Sequence, residues 1–383
     1  MNQKNYENNK AFFALLRAGL FPVHGEGFMV HDSLFKDVDW EKIYKLSQEQ
    51  SVQGVVLQGI DWFKIQGSKF NIPQGLLLQW IGEVQMIEQR NKEMNAFIVE
   101  LIEKLRENDI YALLVKGQGV AQCYEKPLWR SCGDVDLFLS DNNYEKAKKL
   151  LIPLASSVEK ESEATLHLGM TINGWVVELH GKLNGYLSSR VMSLLSLIEQ
   201  DTFIGGNVRT WMNGKTQVFL MKEENEILYG FIHFLNHLYK EGVGLRQICD
   251  WCRLLYTFKD SLNHGLLEQR IKRAGLMSEW KAFYNLASRY LGMPDLGSGL
   301  MVHDSRYDKK ADRIMEFILK SGNMGHNRDM SHFSKYPYLI RKCVSMGRRI
   351  GDLINHARIF PLDSLRFFPR IMLNGVRSAV RGE

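Results

Sequence analysis

Apolar positions in the first hundred residues recur at helical spacing. Between residues 39 and 58 they fall at Trp40, Ile43, Leu46, Val52, Val55 and Val56. Residues 75–107 form a long, proline-free, helix-favouring stretch ending in Leu101-Ile-Glu-Lys-Leu105. The pattern predicts an N-terminal helical region over residues 1–107 whose task is packing. The rhythm changes near residue 108, where short apolar runs between turn signals read as strands. Ile110–Val115 is the first and runs into Lys116-Gly-Gln-Gly119 and a short helix through Tyr124. Asp134–Leu139 is the second, followed by a helix near 142–151 with Asp141 or Asn142 as its N-cap. Thr165–Ile172 and Trp175–His180 flank Asn173-Gly174, a strong hairpin signal. These elements predict a small sheet domain over 108–215. From 216 to 383 helical periodicity returns, as in Glu223–Tyr239 and Leu245–Phe258, with Pro294, Pro337, Pro361 and Pro369 dividing it into short helices. The expected class is α+β, a small mixed β-sheet core flanked by N-terminal and C-terminal helical regions.

A length of 383 residues predicts two or three packed units. With 45% apolar and 24% charged residues, the disordered and fibrous classes are excluded. The polar opening and Arg17 argue against a secretory signal, and no apolar run is long enough to cross a bilayer. Cysteines at 123, 132, 249, 252 and 343 are odd in number and scattered, which argues against a disulfide framework and fits a reducing cytoplasm.

The charge balance is uneven. Residues 341–383 hold nine Lys/Arg against three acids, which matches the net +6 of the whole chain. Such a tail suits phosphate, nucleic acid or an acidic membrane surface, but a solvated helix flank is the commoner outcome. Its segment Phe360–Met372 mixes arginine with aromatics and reads as a capping helix whose aromatics enter the core.

Residues two apart on a strand share a face, so Asp134 and Asp136 point at one spot. Like charges this close call for a compensating cation, and a hard divalent ion such as Mg²⁺ suits oxygen donors. The alternative is a pair of solvated acids at a strand start. With Asn173-Gly174 as a two-residue turn, Ile172 pairs with Trp175, Gly169 with Glu178 and His167 with His180. This puts a third carboxylate on the ribbon, opposite a position without a side chain that leaves room for a ligand. It also puts two imidazoles beside that carboxylate; a structural histidine pair is the plainer alternative. Gly117 and Gly119, between strand and helix, allow backbone N–H groups to approach a phosphate, although the P-loop spacing is absent. Arg130 is a candidate phosphate clamp, or otherwise a surface salt bridge.

Leu113-Leu-Val-Lys116-Gly117, Tyr124, Pro127, Arg130, Gly133-Asp134-Val-Asp136-Leu-Phe-Leu139 and Val177-Glu178-Leu-His180 together resemble a little-characterised bacterial nucleotidyltransferase family of the polymerase-β-like superfamily. The resemblance is close over 110–182 and looser in the flanking helices. It implies that Asp134, Asp136 and Glu178 bind two Mg²⁺ ions, replaceable by Mn²⁺. Gly117, with Lys116, Gly119, Arg130, Gly133 and His180, would form the nucleotide site. The implied reaction transfers a nucleoside monophosphate from an NTP to a hydroxyl on a small molecule, glycan precursor, protein or RNA, with release of pyrophosphate. Glu178 would be general base or bridging ligand, and Lys116 and Arg130 would offset phosphate charge. Superfamily members usually carry Gly-Ser or Gly-Gly at the turn where this chain has Lys116-Gly117-Gln118, and often Asp where it has Glu178. Those departures leave a second reading, a member that binds nucleotide, RNA or a partner without turnover. A third is a helical scaffold whose sheet is only structural.

Three further features are weaker. His233 and His237 stand at metal-ligand spacing without the Glu of His-Glu-x-x-His, so a core or interhelix hydrogen-bonding role is expected. Cys249 and Cys252 read as structural thiols. Arg246 and Asp250 read as an intrahelical ion pair, although the resemblance places such a helix against the site, with His167 as another second-tier residue.

Overall fold

The computed structural model describes residues 3–22, 32–162, 165–184, 187–240, 242–297, 299–322 and 338–381. Among these residues seven strands make one mixed sheet: β1 (Ala112–Val115), β2 (Asp134–Leu139), β3 (Ser157–Val158), β4 (His167–Ile172), β5 (Trp175–His180), β6 (Val208–Asn213) and β7 (Thr216–Met221), in the order β3-β4-β5-β2-β1-β7-β6. The pairs β2/β5 and β1/β7 are parallel and the others antiparallel.

Before the sheet come α1 (Gln3–Leu20), α2 (Trp40–Glu49), α3 (Gln53–Ile65) and α4 (Gln74–Arg106). Between its strands lie α5 (Gly117–Ala121), α6 (Asp141–Leu151) and α7 (Ser189–Phe203). After it come α8 (Glu223–Lys240), α9 (Leu245–Thr257), α10 (His264–Ala274), α11 (Met277–Leu286), α12 (Asp308–Ser321), α13 (Tyr338–Ala357) and α14 (Pro361–Arg381). The chain is therefore α+β, with helices at both ends of the sheet, as expected.

Strand alternation divides the sheet into two faces. Val135, Leu137 and Leu139 of β2, Leu168, Met170 and Ile172 of β4, and Val177 and Leu179 of β5 point to one side. There they form a core with Met94, Phe97, Leu101 and Leu105 of α4 and Tyr144, Ala147 and Leu151 of α6. Residues of opposite parity, including Asp134, Asp136, Glu178 and His180, face the other side, towards α8 and α9. A second and larger core there joins Phe138 to Phe231, Phe234, Trp251 and Trp280 and to the N-terminal helices. Helix α4 serves both cores, with Trp80 and Val84 in the larger one and its C-terminal half under the sheet.

The hairpin register is as expected: Ile172 pairs with Trp175, Gly169 with Glu178 and His167 with His180. Asn173 and Gly174 take positive φ of 51° and 79°, the turn geometry that matches strand twist.

Several expectations need correction. Val208–Asn213 and Thr216–Met221 form a hairpin that the sequence pattern does not predict, and β7 carries the sheet beyond residue 215, where helical sequence is expected to begin. Its Thr216–Met221 run is buried at alternate positions because it lies beside β1 inside the sheet. The N-cap of α6 is Ser140 rather than Asp141 or Asn142. Pro369 lies inside α14 and does not end it; Pro337 falls outside the described residues. The aromatics of the tail behave as a cap, with Phe360 and Phe367 buried. Of its basic side chains only Arg358, Arg366 and Arg370 are among those described.

Candidate active site

The turn after β1 carries the first site residue. Lys116 adopts φ 59° and ψ −144°, a conformation that glycine takes freely and that strains any residue with a Cβ. Gly117 continues it at φ 43°. Together they reverse the chain so that Lys116 Nζ lies 2.8 Å from Asp136 Oδ1. Asp136 is 2% exposed, and an unaccompanied carboxylate there would be strongly unfavourable. Burial opposes the charge on Lys116, but the carboxylates of Asp136 and Asp134 more than offset it and hold the ammonium well above its ordinary pKa.

Parallel pairing sets Asp136 directly against Glu178 and Asp134 against Val176. Ligand oxygens of Asp134, Asp136 and Glu178 all lie within 4.8 Å of one another. His180 Nε2 sits 2.8 Å from Asp136 Oδ1 and 3.5 Å from Glu178 Oε2, and His167 Nε2 sits 3.2 Å from Glu178 Oε2. Asp134 is raised above the usual carboxylate range, first by burial and then by Asp136. Glu178 is pushed well below that range by the bonds from His167 and His180. For His180, burial works against protonation, but Asp136 and Glu178 reverse the balance and raise its pKa. Three carboxylates are thus held together by an ammonium and two imidazoles. This donor set of converging oxygens fits divalent cations, which carry the same compensating charge.

A cavity opens beside this cluster, lined by Lys116, Gly117, Asp134 and Asp136 from the sheet side and Tyr229, His233, Arg246 and Trp251 from α8 and α9. Its volume is about 80 Å³. The residues Tyr229, His233 and His237 stand four apart on one face of α8, and His237 Nε2 lies 3.1 Å from His233 Nε2. That contact is intrahelical, where a core or an interhelix hydrogen-bonding role was expected. Burial, then Lys116, keeps His233 well below its ordinary pKa and therefore neutral. His spacing at i and i+4 marked this face in the sequence; nothing local marked Tyr229 or Trp251, which only the packing of α8 and α9 on the sheet brings in.

The structure redistributes the two arginines. Arg130 is not a free phosphate clamp: it is buried, with Nε 2.8 Å and Nη2 2.6 Å from the two carboxylate oxygens of Asp250. Tyr124 Oη donates to the same Asp250 at 2.8 Å. Asp250 therefore pairs across the structure with Arg130, not along its helix with Arg246. Arg246 instead donates from Nη1 to the Ser131 carbonyl at 2.9 Å, while its buried Nε meets no hydrogen-bond partner among the described residues. Both contacts fix the Arg130–Gly133 segment that delivers Asp134. Gly119 is a packing position, since a Cβ there would lie 2.7 Å from Leu220 Cδ2. A Cβ at Gly133 would meet nothing within 4 Å, so that backbone is open. The space expected over Gly169 is occupied: a Cβ there would lie 2.6 Å from Glu159 Oε2. Cys249 and Cys252 are buried free thiols.

A family model described as an uncharacterised nucleotidyltransferase matches residues 36–292. The chain belongs to that nucleotidyltransferase family. The match takes in the whole sheet, α8 and α9, and so every residue placed around the carboxylate cluster. No curated protein and no solved structure matches the chain. No helix among the described residues is long and apolar enough to cross a membrane.

Proposed function

We propose that this nucleotidyltransferase transfers a nucleoside monophosphate from an NTP to an acceptor hydroxyl, releasing pyrophosphate. The observation that carries the reading is the convergence of Asp134, Asp136 and Glu178 from two parallel strands, with all three ligand oxygens within 4.8 Å. These three residues would hold Mg²⁺ or Mn²⁺. Bound there, divalent ions lower the pKa of an attacking hydroxyl and neutralise charge on the leaving group.

The protein's own residues do the rest. Arg246, with a donor to spare at the cavity wall, offsets phosphate charge, the part first expected of Arg130. Arg130 and Asp250 hold the loop that aims Asp134. Glu178, kept ionised by His167 and His180, would serve as a bridging metal ligand rather than as the acceptor's base, because a carboxyl held well below its usual range is a weak base. The cavity lined by Lys116, Gly117, Asp134 and Arg246 would receive the phosphates.

The test is pyrophosphate release from each NTP with Mg²⁺ or Mn²⁺ across acceptor classes: small molecules, glycan precursors, proteins and RNA ends. Turnover that Glu178→Gln abolishes supports the reading. A second reading, binding without turnover, draws on Lys116, whose ammonium sits 2.8 Å from Asp136 and competes with a cation for that oxygen. Metal-dependent NTP binding without pyrophosphate release from any acceptor would favour it.

A further inference from the structure

His167 and His180 are more than flanking residues of the acidic cluster. They are a register pair on β4 and β5, so their side chains leave the same face of the sheet, beside Glu178. Both approach one oxygen, Glu178 Oε2, His167 Nε2 at 3.2 Å and His180 Nε2 at 3.5 Å. The two nitrogens and the carboxylate oxygen lie within 4.8 Å of one another. Charge-assisted N–H···O bonds close to about 2.7–2.9 Å, which both contacts exceed. Donors around a four-coordinate ion with bonds of about 2.0–2.2 Å stand roughly 3.3–3.5 Å apart, and the two measured separations fall close to that. Each imidazole also remains accessible, with 33% of the His167 side chain and 12% of the His180 side chain exposed.

Ligand chemistry separates this group from the acid triad. Carboxylates alone suit Mg²⁺, whereas paired imidazoles select borderline first-row ions. Glu159 brings another carboxylate to the same side, since its Oε2 fills the place of a Gly169 side chain, and Gly169 is the register partner of Glu178.

We propose that His167, His180 and Glu178 form a binding site for a divalent transition-metal ion, distinct from the Asp134–Asp136–Glu178 site and joined to it through Glu178. In part this rests on the nucleotidyl-transfer reading, which supplies the hard-ion site next to it. The centre would then hold unlike ions, Mg²⁺ on the acids and an ion such as Zn²⁺ or Mn²⁺ on the imidazole side. Asp136, 2.8 Å from His180 Nε2, links the two sites a second time, and binding the softer ion draws His180 away from it.

The probe is the metal alone. Mn²⁺ added to the metal-free full chain in excess Mg²⁺ should show, by pulsed electron paramagnetic resonance, coupling to directly bound imidazole ¹⁴N. Co²⁺ in its place should develop visible absorption bands of nitrogen-containing coordination. His167→Ala and His180→Ala should each weaken Co²⁺ binding by at least ~10-fold and remove one nitrogen from the Mn²⁺ signal. Asp134→Ala should keep the nitrogen coupling while losing Mg²⁺-dependent stabilisation by NTP. Absence of nitrogen coupling in the wild-type protein overturns the proposal and needs no variant to fold. So does coupling that survives in the His167→Ala/His180→Ala double variant. If coupling is present but no NTP stabilises the wild-type protein with Mg²⁺, the metal site stands and the nucleotidyl-transfer reading fails.

Discussion

Lys116 Nζ and His180 Nε2 approach the same oxygen, Asp136 Oδ1, each at 2.8 Å. One carboxylate oxygen inside the sheet is thus neutralised from the β1 turn and from β5 at once. The arrangement substitutes side-chain cations for the charge that a bound metal would provide, and it makes the metal-free protein dependent on Lys116.

Lys116→Ala should therefore destabilise the metal-free protein by ~1–3 kcal/mol, less than for a fully buried pair because the ammonium is partly solvated. Lys116→Gly should lose the same charge yet recover ~1 kcal/mol, because glycine adopts the positive φ without strain. Urea denaturation of the two variants, with and without Mg²⁺, measures both effects. Mg²⁺ should narrow the gap to wild type, and equal stability of the two variants would remove the strain argument.

The buried pair of Arg130 and Asp250 predicts strong non-additivity. Arg130→Met alone leaves Asp250 with Tyr124 as its remaining side-chain donor among the described residues and should cost ~3–5 kcal/mol. Adding Asp250→Leu should cost well below the sum of the two single changes, as a double-mutant cycle by chemical denaturation would reveal. Additive losses would mean that the two side chains act independently.

The sequence made the chemistry more legible than its supports. Strand alternation and the Asn173-Gly174 turn were enough to set Glu178 opposite Gly169 and His167 opposite His180, because register in a two-residue hairpin is fixed by the turn. At β6 and β7 the turn is Gly214-Lys215, with Asn213 paired to Thr216, so Asn213-Gly214 does not mark the register as Asn173-Gly174 does. The apolar run Val218–Met221 equally suits a buried helix. The partners of Arg130 and Arg246 were not legible. Spacing of four residues on a helix favoured an Arg246–Asp250 pair, and only the packing of α9 against the Arg130–Gly133 segment reversed it. Glu159 was invisible for the same reason, since β3 is two residues long and has little pattern of its own.

Glu279 gives a pH dependence remote from the site. It is fully buried on α11, and burial first, then the charge of Asp363 on α14, pushes its carboxyl up to about 8. The unfolded chain ionises near the ordinary value of 4.5, so the folded state holds the proton more tightly. The resulting stability is complete below pH 4.5 and is lost as pH rises through about 8. Glu279→Gln should flatten the fall in melting temperature across that interval and raise it most at pH 8–9. A wild-type profile with no fall attributable to Glu279 would contradict this.

On the proposed function, Asp134, Asp136 and Glu178 bind divalent cation and nucleotide together. Calorimetric titration of NTPs into the wild-type protein and into an Asp134→Asn/Asp136→Asn variant, with Mg²⁺ or with chelator, tests it most directly. Binding that requires Mg²⁺ in the wild type and disappears in a folded variant is the result predicted. Binding that is unchanged by chelator, or retained in the variant, would contradict the account.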